Sequence, residues 1–303
     1  MIKKRIFLTG GRGFIGRNVI EQLGSKYSFY APEHKDLDLY DFSEVEKFFH
    51  ENGKFDIVIH GAVRGGNRRI PNNAEILNLN LRMFFNIASC AKYFDKMIYF
   101  GSGAEFGKEE PIKLVKEIDF GAKVPNDDFG FYKYICAAYI ENADKILNLR
   151  LFSVWGKYED YAVRFISNAI CKTLFGLPVT IRQNVYFDYL YIDDFIKILD
   201  FFITNKTQYK NYNVGRGTPI DLLSIANKIG DISGGKSKIV IDSPGLGNEY
   251  TCNNQRLLAE IGKFKFGDFE ENLKELCDWY KKEKPKLSRE LLLDDYFEKS
   301  KTN

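Results

Sequence analysis

Three glycines near the start of the chain, Gly10, Gly13 and Gly16, stand where a backbone could bind an anion. They follow a short apolar run at residues 6–8 and precede residues 14–23, whose apolar side chains recur at helical spacing. The start of a helix presents unpaired backbone N–H groups and the positive end of the helix dipole. A strand, a glycine turn and a helix in this order therefore predict a site for the paired phosphates of a nucleotide, with an ordinary strand–helix turn as the alternative.

Each part of this turn has its own expected role. Gly10 allows the tight turn, Gly13 lets a pyrophosphate approach the backbone, and Gly16 lets the helix pack closely against the strand. Phe14 and Ile15 begin the helix, where backbone N–H groups are free to bind an anion. The spacing is G-x-x-G-x-x-G rather than the commoner G-x-G-x-x-G, so the interpretation depends on the flanking strand and helix.

Composition excludes several classes of protein. The chain has 303 residues, of which 45% are apolar, 44 are basic and 41 are acidic, and this balance argues against binding to nucleic acid or to a membrane surface. No apolar run is long enough to span a bilayer, and the first strand starts too early for a signal peptide. Five widely spaced cysteines favour free thiols, and three scattered histidines do not suggest a metal centre. We therefore expect a cytoplasmic protein.

Apolar runs alternate with helical patterns along the first half of the chain. The predicted strands cover residues 6–8, 27–31, 56–60, 96–101 and 148–152, and the predicted helices cover residues 14–23, 43–52, 74–93 and 129–147. Strands that alternate with helices predict an α/β fold with a parallel, doubly wound sheet of the Rossmann type.

The second half of the chain completes this sheet and adds a smaller α/β lobe. Further helices are predicted at residues 161–175, from residue 193, and at 220–232 and 269–282, and further strands at 185–191 and 238–241. We assign residues 1–155 and 185–213 to the dinucleotide-binding domain, and residues 156–184 and 214–303 to a substrate-binding lobe. Such a lobe would cover the carboxyl ends of the strands, where ligands bind in parallel sheets.

Short motifs extend this picture along most of the chain. They are T-G-G-R-G-F-I-G at 9–16, V-I-H-G-A at 58–62, Asn80, G-S-G-A-E-F-G at 101–107, F-G-F-Y-K at 129–133, L-R-L-F-S-V-W-G at 149–156, F-D-Y-L-Y-I-D-D at 187–194 and Y-N-V-G-R-G at 212–217. In this order and spacing they resemble the extended short-chain dehydrogenase/reductase family, in its nucleotide-sugar branch of NAD-dependent epimerases and dehydratases. K-D-L-D-L-Y-D at 35–41 is most similar to the fucose-synthase and 4-ketoreductase members.

The resemblance implies a nicotinamide dinucleotide as cofactor. Arg12 lies where reductases of this branch hold the extra phosphate of NADP, and Lys35 would add a second cation. Glu33 could instead accept hydrogen bonds from the ribose hydroxyls of NAD. NADP is therefore expected, with NAD as the alternative, and both cations could also be plain surface charges. The family pattern adds cofactor contacts, each with a turn or packing role as the alternative, from Asp38, Leu39, Gly61, Ala62 and Asn80.

The same family reduces a sugar ketone, or oxidises an alcohol, with a Ser or Thr, a Tyr and a Lys. Ser102 takes the place of the hydroxyl that holds the substrate oxygen. Lys133 takes the place of the lysine that binds the nicotinamide ribose and lowers the pKa of the tyrosine. The position of the tyrosine, however, holds Phe129, which has no proton to give. Tyr132, Ser102 or a water held by Lys133 could supply the proton, Lys133 could act on the substrate directly, or the protein could bind a nucleotide sugar without turnover.

This chain lacks catalytic residues that other members of the family carry, and their absence narrows the choice of reaction. Dehydratases of this branch carry an Asp–Glu pair directly after the catalytic serine, where this chain has Gly103 and Ala104. Fucose synthases epimerise with a cysteine and a histidine, where this chain has Ala104 and Ala162. The resemblance therefore implies NADP(H)-dependent reduction of a 4-keto nucleotide sugar, in the synthesis of a surface polysaccharide. An NAD-dependent 4-epimerase or dehydrogenase is the alternative enzyme, and a nucleotide-sugar-binding protein is the alternative without catalysis.

The nucleotide sugar is expected under the second lobe. Ser153 stands where family members often have asparagine, and Phe187 replaces an arginine that commonly binds the diphosphate. Three candidates could replace that arginine, with surface charge as the alternative for each: Arg164, Arg182 and Arg256. Arg256 is best placed by motif. The helical patterns at 74–93 and 129–147 could form the four-helix homodimer that is common in this family, although packing within one subunit explains their apolar faces as well.

Overall fold

A six-stranded parallel sheet forms the centre of the protein. The structure is a computed structural model, and it describes residues 3–65, 74–234 and 237–293. The strands lie in the order β2 (Ser28–Tyr30), β1 (Arg5–Thr9), β3 (Phe55–His60), β4 (Phe94–Ser102), β6 (Ile146–Leu151) and β11 (Asn211–Val214), and all neighbours are parallel. The predicted parallel α/β sheet is confirmed.

Helices cover both faces of this sheet, as its doubly wound pattern requires. The first face carries α1 (Phe14–Leu23) and α6 (Ile192–Thr204), and the second carries α2 (Phe42–Asn52), α3 (Ala74–Ser89) and α4 (Asp128–Asn142). The strands alternate accordingly, since Ile6 and Leu8 belong to one core and Phe7 to the other. α3 and α4 also pack against each other, and the homodimer expected through them stays a prediction.

The remaining elements form the smaller α/β lobe. Its helices are α5 (Phe165–Leu174), α7 (Leu222–Ser233), α8 (Gln255–Ile261), α9 (Phe269–Glu283) and α10 (Arg289–Leu293). One sheet has the strands β12 (Ile220–Asp221), β9 (Tyr186–Phe187), β14 (Tyr250–Cys252) and β5 (Ile112–Val115), and two pairs join β8 (Val179–Asn184) to β13 (Ile239–Leu246) and β7 (Val154–Trp155) to β10 (Leu190–Tyr191). Four of these strands come from segments assigned by sequence to the other domain: β5, β7, β9 and β10. Residues 1–2, 66–73, 235–236 and 294–303 of the assigned ranges lie outside the described residues.

Several predicted elements differ from the structure at their ends. The helix predicted at residues 129–147 ends at Asn142, because Ile146 already pairs with β4 as the first residue of β6. The strand predicted at residues 185–191 is divided at Asp188, whose buried carboxylate accepts backbone N–H groups from the chain that follows β11. The short strands β5, β7, β11 and β14 have no counterpart in the prediction, since two to four residues carry too little pattern to mark a strand.

The strand order creates a crevice at the end of β1. After β1 the chain adds β2 on one side, and after β2 it crosses to add β3 on the other side. In open parallel sheets, ligands bind at such a switch point, outside the carboxyl ends of the strands. The glycine turn at residues 10–16 directly follows β1 and therefore borders this crevice.

A buried ion pair fixes the end of β4 beside this crevice. The side chains of Glu105 and Arg150 are fully buried, and Nε of Arg150 lies 2.5 Å from Oε2 of Glu105. Nδ2 of Asn148 donates to the same carboxylate, 3.0 Å from Oε2. The backbone N–H of Ser102 donates to Oε1 of Glu105 at 3.0 Å, so the pair holds Ser102 from inside the protein.

Two classes of site are absent from the described ranges of the chain. Within them, no helix is long and apolar enough to cross a membrane. No group of three or more His, Cys, Asp or Glu side chains in those ranges could hold a metal ion. The five cysteines are free thiols, and all are buried.

Glu105→Gln is expected to lower the free energy of unfolding by about 3 kcal/mol, because it removes the fully buried counter-charge of Arg150 and leaves the guanidinium with Glu141, which is partly exposed and 3.7 Å away. Urea unfolding followed by circular dichroism measures the change. Glu110→Gln is the matched control, since Glu110 pairs with Lys123 at the surface, and it should cost below about 1 kcal/mol. Equal stability of the two variants would contradict the structural role of the buried pair.

Candidate active site

At two positions of the turn between β1 and α1, there is no room for any side chain. Gly10 has a φ of +75°, and a Cβ there would lie 2.9 Å from the backbone nitrogen of Ala62. A Cβ at Gly16 would lie 2.2 Å from the carbonyl oxygen of Gly10. Both positions therefore require glycine, one for its backbone conformation and both for space.

The start of α1 forms a cradle for an anion. Gly13 is the N-cap and provides no side-chain cap, and the first turn contains no acidic residue. The backbone N–H groups of Phe14, Ile15 and Gly16 have no acceptor within the helix, because they belong to its first turn. These donors and the positive end of the dipole fit the paired phosphates of a dinucleotide.

Glu33 lies between two cations after β2. The guanidinium of Arg12 forms an ion pair with Glu33, and Nζ of Lys35 lies 3.9 Å from the second carboxylate oxygen. The side chain of Arg12 is 78% exposed, so its charge also faces solvent. The two cations expected to bind the phosphate of NADP thus share one site with the carboxylate expected to bind the ribose of NAD.

Three further residues expected at the cofactor have partners in the protein. Oδ1 of Asp38 accepts the backbone N–H of Tyr40 at 2.8 Å, and Leu39 packs against the core beneath α2 and α3. Asn80 bonds the backbone of Arg64 twice, with Nδ2 2.8 Å from its carbonyl oxygen and Oδ1 2.9 Å from its nitrogen. Asn80 therefore holds the loop that follows β3.

The end of β3 connects the glycine turn to β4. A Cβ at Gly61 would lie 2.9 Å from the ring of Phe100, and the N–H of Ala62 donates to Oγ1 of Thr9 at 3.1 Å. The same oxygen contacts Nδ1 of His60 at 2.8 Å. Burial lowers the pKa of His60 to about 3, so this histidine is a neutral core residue.

Lys133 is buried on the side of α4 that faces β4. Its Nζ donates to the carbonyl oxygen of Phe100 at 2.5 Å and lies 4.5 Å from the ring centre of Tyr99. Burial lowers the pKa of Lys133 to about 8, against the opposing effects of Cys136 and Glu105. Near neutral pH the ammonium is mostly charged and can donate to ribose hydroxyls.

No phenol stands at the position of the family tyrosine. Phe129 lies in the first turn of α4, with its ring centre 5.3 Å from that of Tyr132. Tyr132 is 2% exposed and packs in the core between α4 and the sheet. Within the described part of the chain its hydroxyl has no hydrogen-bond partner, and burial raises its pKa well above the usual value. The structure thus places Tyr132 in the core rather than in the crevice.

Ser102 ends β4 at the crevice and meets the smaller lobe there. Its Oγ accepts the N–H of Ala104 at 3.1 Å and lies 3.3 Å from the hydroxyl oxygen of Tyr250 on β14. No motif in the sequence points to Tyr250. In the structure, Gly103 leaves the space for this contact, because a Cβ there would lie 2.6 Å from the hydroxyl of Tyr250.

Three of the predicted substrate residues are linked to this pair of hydroxyls by strand pairing, ring contact or charge. Ser153 has a φ of +38° and follows β6, whose last residue is paired with Ser102. Phe187 is paired with Tyr250, and their ring centres are 6.0 Å apart. Burial raises the pKa of Tyr250, and the charge of Arg164, exposed at the start of α5, opposes that rise.

The other two candidate arginines lie elsewhere. Arg182 is exposed on β8. Arg256, on α8, donates to Oδ1 of Asn211 at 2.6 Å, faces Glu117 at 3.7 Å, and lines a polar cavity of about 580 Å³ beside β11. Motif position favours Arg256 for the diphosphate, whereas the structure brings Arg164 within electrostatic range of the Ser102–Tyr250 pair.

Known proteins share the sequence pattern of this chain. Residues 6–215 match the sequence profile of the NAD-dependent epimerase/dehydratase family. GDP-L-colitose synthase of Yersinia pseudotuberculosis is 25% identical over 304 residues, which cover 92% of this chain and 99% of that protein. GDP-L-fucose synthase of Sinorhizobium fredii is 24% identical, with 79% and 83% covered.

Solved structures share its fold. The GDP-D-glycero-L-gluco-heptose synthase of Campylobacter jejuni, crystallised in the presence of NADPH, superposes with a TM-score of 0.80 at 17% identity, covering 92% of this chain and 98% of that one. The profile match spans more than half of the chain and contains the glycine turn, Ser102 and Lys133, which confirms the resemblance seen in the motifs. The chain belongs to the NAD-dependent epimerase/dehydratase family.

Proposed function

We propose that the protein reduces the 4-keto group of a nucleotide sugar with NADPH. The observation that carries this proposal is the alignment of three groups along one edge of the sheet. The anion cradle follows β1, Lys133 contacts the backbone of β4, and Ser102 ends β4. Since β3 separates β1 from β4, these two strands lie about 10 Å apart across the sheet, and the register places Ser102 three residues beyond the level of Thr9. A dinucleotide bound across the crevice would run from one to the other.

The side chains have distinct proposed roles. The hydroxyl of Ser102 holds the ketone oxygen, and the ammonium of Lys133 holds the nicotinamide ribose. Bound NADPH supplies a hydride, which no amino-acid side chain can do. Gly103 and Ala104 cannot take up or release a proton, and this supports reduction rather than loss of water. Arg12 and Lys35 favour NADP over NAD, because each cation adds a charge-assisted contact to the extra phosphate.

The similar proteins support the class of substrate. Both sequence relatives are named as synthases of GDP-linked sugars, and the Campylobacter enzyme is named as a synthase of a GDP-linked heptose. GDP-linked 4-keto sugars are therefore the first substrates to test.

Phe129 favours a second candidate function, which is binding of a nucleotide sugar without turnover. A phenylalanine at this position removes the group that protonates the substrate in the family, while the cradle for the cofactor is retained. Turnover by the native chain separates the two functions.

The native chain is expected to consume NADPH with a GDP-linked 4-keto sugar. Ser102→Ala should lower kcat by roughly 100-fold, because the ketone oxygen loses a positioned hydrogen-bond donor, and it should leave the Kd for NADPH unchanged. Loss of NADPH absorbance measures kcat, and quenching of NADPH fluorescence measures Kd. Ser89→Ala, at the exposed end of α3, is the control. If no keto sugar nucleotide is consumed, the reductase assignment is wrong.

Arg12→Met is expected to weaken NADPH binding by roughly 10- to 100-fold, as for loss of a charge-assisted hydrogen bond, and to leave NADH binding unchanged. Lys47→Met removes an equal charge from the surface of α2 and should change neither affinity. Tighter binding of NADH than of NADPH by the native chain, abolished in Glu33→Gln, would instead assign NAD as the cofactor.

The affinity for NADPH is expected to fall as the pH rises through about 8, where Lys133 loses its charge. The affinity falls rather than rises, because burial lowers the pKa of Lys133 below the usual value and the folded protein therefore releases this proton at a lower pH than a free lysine would. Fluorescence titrations from about pH 6 to about pH 10 measure this fall in affinity. The variant Lys133→Met should bind NADPH weakly, and its affinity should not fall in this way. Identical pH profiles for the two proteins would contradict the ribose contact.

A further inference from the structure

We infer that Tyr250 donates the proton in the proposed reduction, in place of the phenol that is missing at Phe129. The inference rests on the proposed function and adds a catalytic residue to it. Tyr250 lies outside residues 6–215, which match the family profile, and it reaches the crevice from the smaller lobe.

The first support is distance. The hydroxyl oxygen of Tyr250 lies 3.3 Å from Oγ of Ser102, and either group can be the donor. A ketone oxygen held by Ser102 would stand within hydrogen-bond reach of both hydroxyls. This is the geometry that a general acid requires.

The second support is the rigid position of the ring. Tyr250 belongs to β14, which is paired with β5 on one side and with β9 on the other. Its carbonyl oxygen accepts the N–H of Asp188 at 3.1 Å. The ring centre lies 5.0 Å from that of Phe152 and 6.0 Å from that of Phe187. The phenol is thus held by a strand and two rings, as a positioned catalytic group should be.

The third support is the space that Gly103 leaves. A Cβ at Gly103 would lie 2.6 Å from the hydroxyl oxygen of Tyr250 and 2.4 Å from the ring of Phe152. The dehydratases of this family carry an acidic side chain at that position. Here Gly103 leaves that space to the phenol of Tyr250, which comes from the other lobe.

Electrostatics keep the phenol protonated. Burial raises the pKa of Tyr250, with a smaller contribution from the charge of Glu105, while the hydrogen bond of Ser102 and the charge of Arg164 oppose the rise. The phenol therefore keeps its proton near neutral pH and is present in the form that can donate it.

The step balances with NADPH as the reductant. The carbonyl carbon gains a hydride from the bound dihydronicotinamide, the π electron pair moves to the oxygen, and that oxygen takes the proton of the Tyr250 hydroxyl. The phenolate regains a proton from solvent before the next turnover. One hydride and one proton are consumed for each ketone reduced.

Tyr250→Phe tests the inference, since it removes one oxygen atom and keeps the ring. We expect kcat to fall by roughly 100- to 10,000-fold, as for loss of a general acid, while the Kd values for NADPH and for the alcohol product stay unchanged by calorimetry. Tyr186→Phe, on the neighbouring strand β9, is the matched control and should keep the native kcat. Phe129→Tyr combined with Tyr250→Phe should recover at least about 10-fold in kcat, because it restores a phenol at the family position.

A second readout needs neither cofactor nor turnover. In protein labelled with ¹³C at the tyrosine ζ carbon, the resonance that is missing from Tyr250→Phe belongs to Tyr250. It should shift in Ser102→Ala, which removes the hydrogen bond, and should not shift in Ser89→Ala. A resonance that stays in place in Ser102→Ala overturns the contact.

The outcomes separate this inference from the function on which it rests. Native kcat in Tyr250→Phe overturns proton donation by Tyr250 and leaves the reductase assignment intact. A native chain that reduces no keto sugar nucleotide overturns the proposed function, and the inference falls with it.

Discussion

The close approach of the turn after β1 to the end of β3 is the constraint on which the rest of the site depends. Gly10 lies against the backbone of Gly61 and Ala62, and Gly16 lies against Gly10, so neither position admits a side chain. This packing brings the first turn of α1 to the point where the strand order reverses. The N–H groups of that turn consequently border the crevice without a side-chain cap from Gly13, which is the physical basis for a phosphate site there.

The buried charges beside this turn have opposite energetic roles. Glu105 and Arg150 neutralise each other inside the protein, and the carboxylate also accepts the backbone N–H of Ser102. Their desolvation is offset by the mutual attraction and by hydrogen bonds, and the pair gives the end of β4 a defined position. Lys133, in contrast, has a backbone carbonyl and the rings of Tyr99 and Tyr132 as its partners, and burial lowers its pKa. A cation held by one carbonyl oxygen and two rings is suited to bind hydroxyl groups of a ligand.

The contact between Ser102 and Tyr250 joins the two parts of the molecule at the place where chemistry is expected. The two residues come from distant segments of the chain: Ser102 ends a central strand, and Tyr250 belongs to a three-residue strand of the smaller lobe. The small residue Gly103 is what allows them to meet. The departure of this chain from its family at Phe129 and the presence of Tyr250 can thus be understood together, as a change in the direction from which the phenol reaches the substrate.

The sequence by itself determined the family, the parallel sheet and five of its six strands with the helices between them, because these follow from local patterns such as apolar runs, glycine spacing and short motifs. Ser102, Lys133 and the glycine turn could be named for the same reason. Tertiary structure alone decided which residues from distant segments meet: that Glu33 lies between Arg12 and Lys35, that Arg256 pairs beside β11, and that Tyr250 reaches Ser102. These contacts join residues up to 148 positions apart, and no local pattern encodes the pairing of short strands that brings them together.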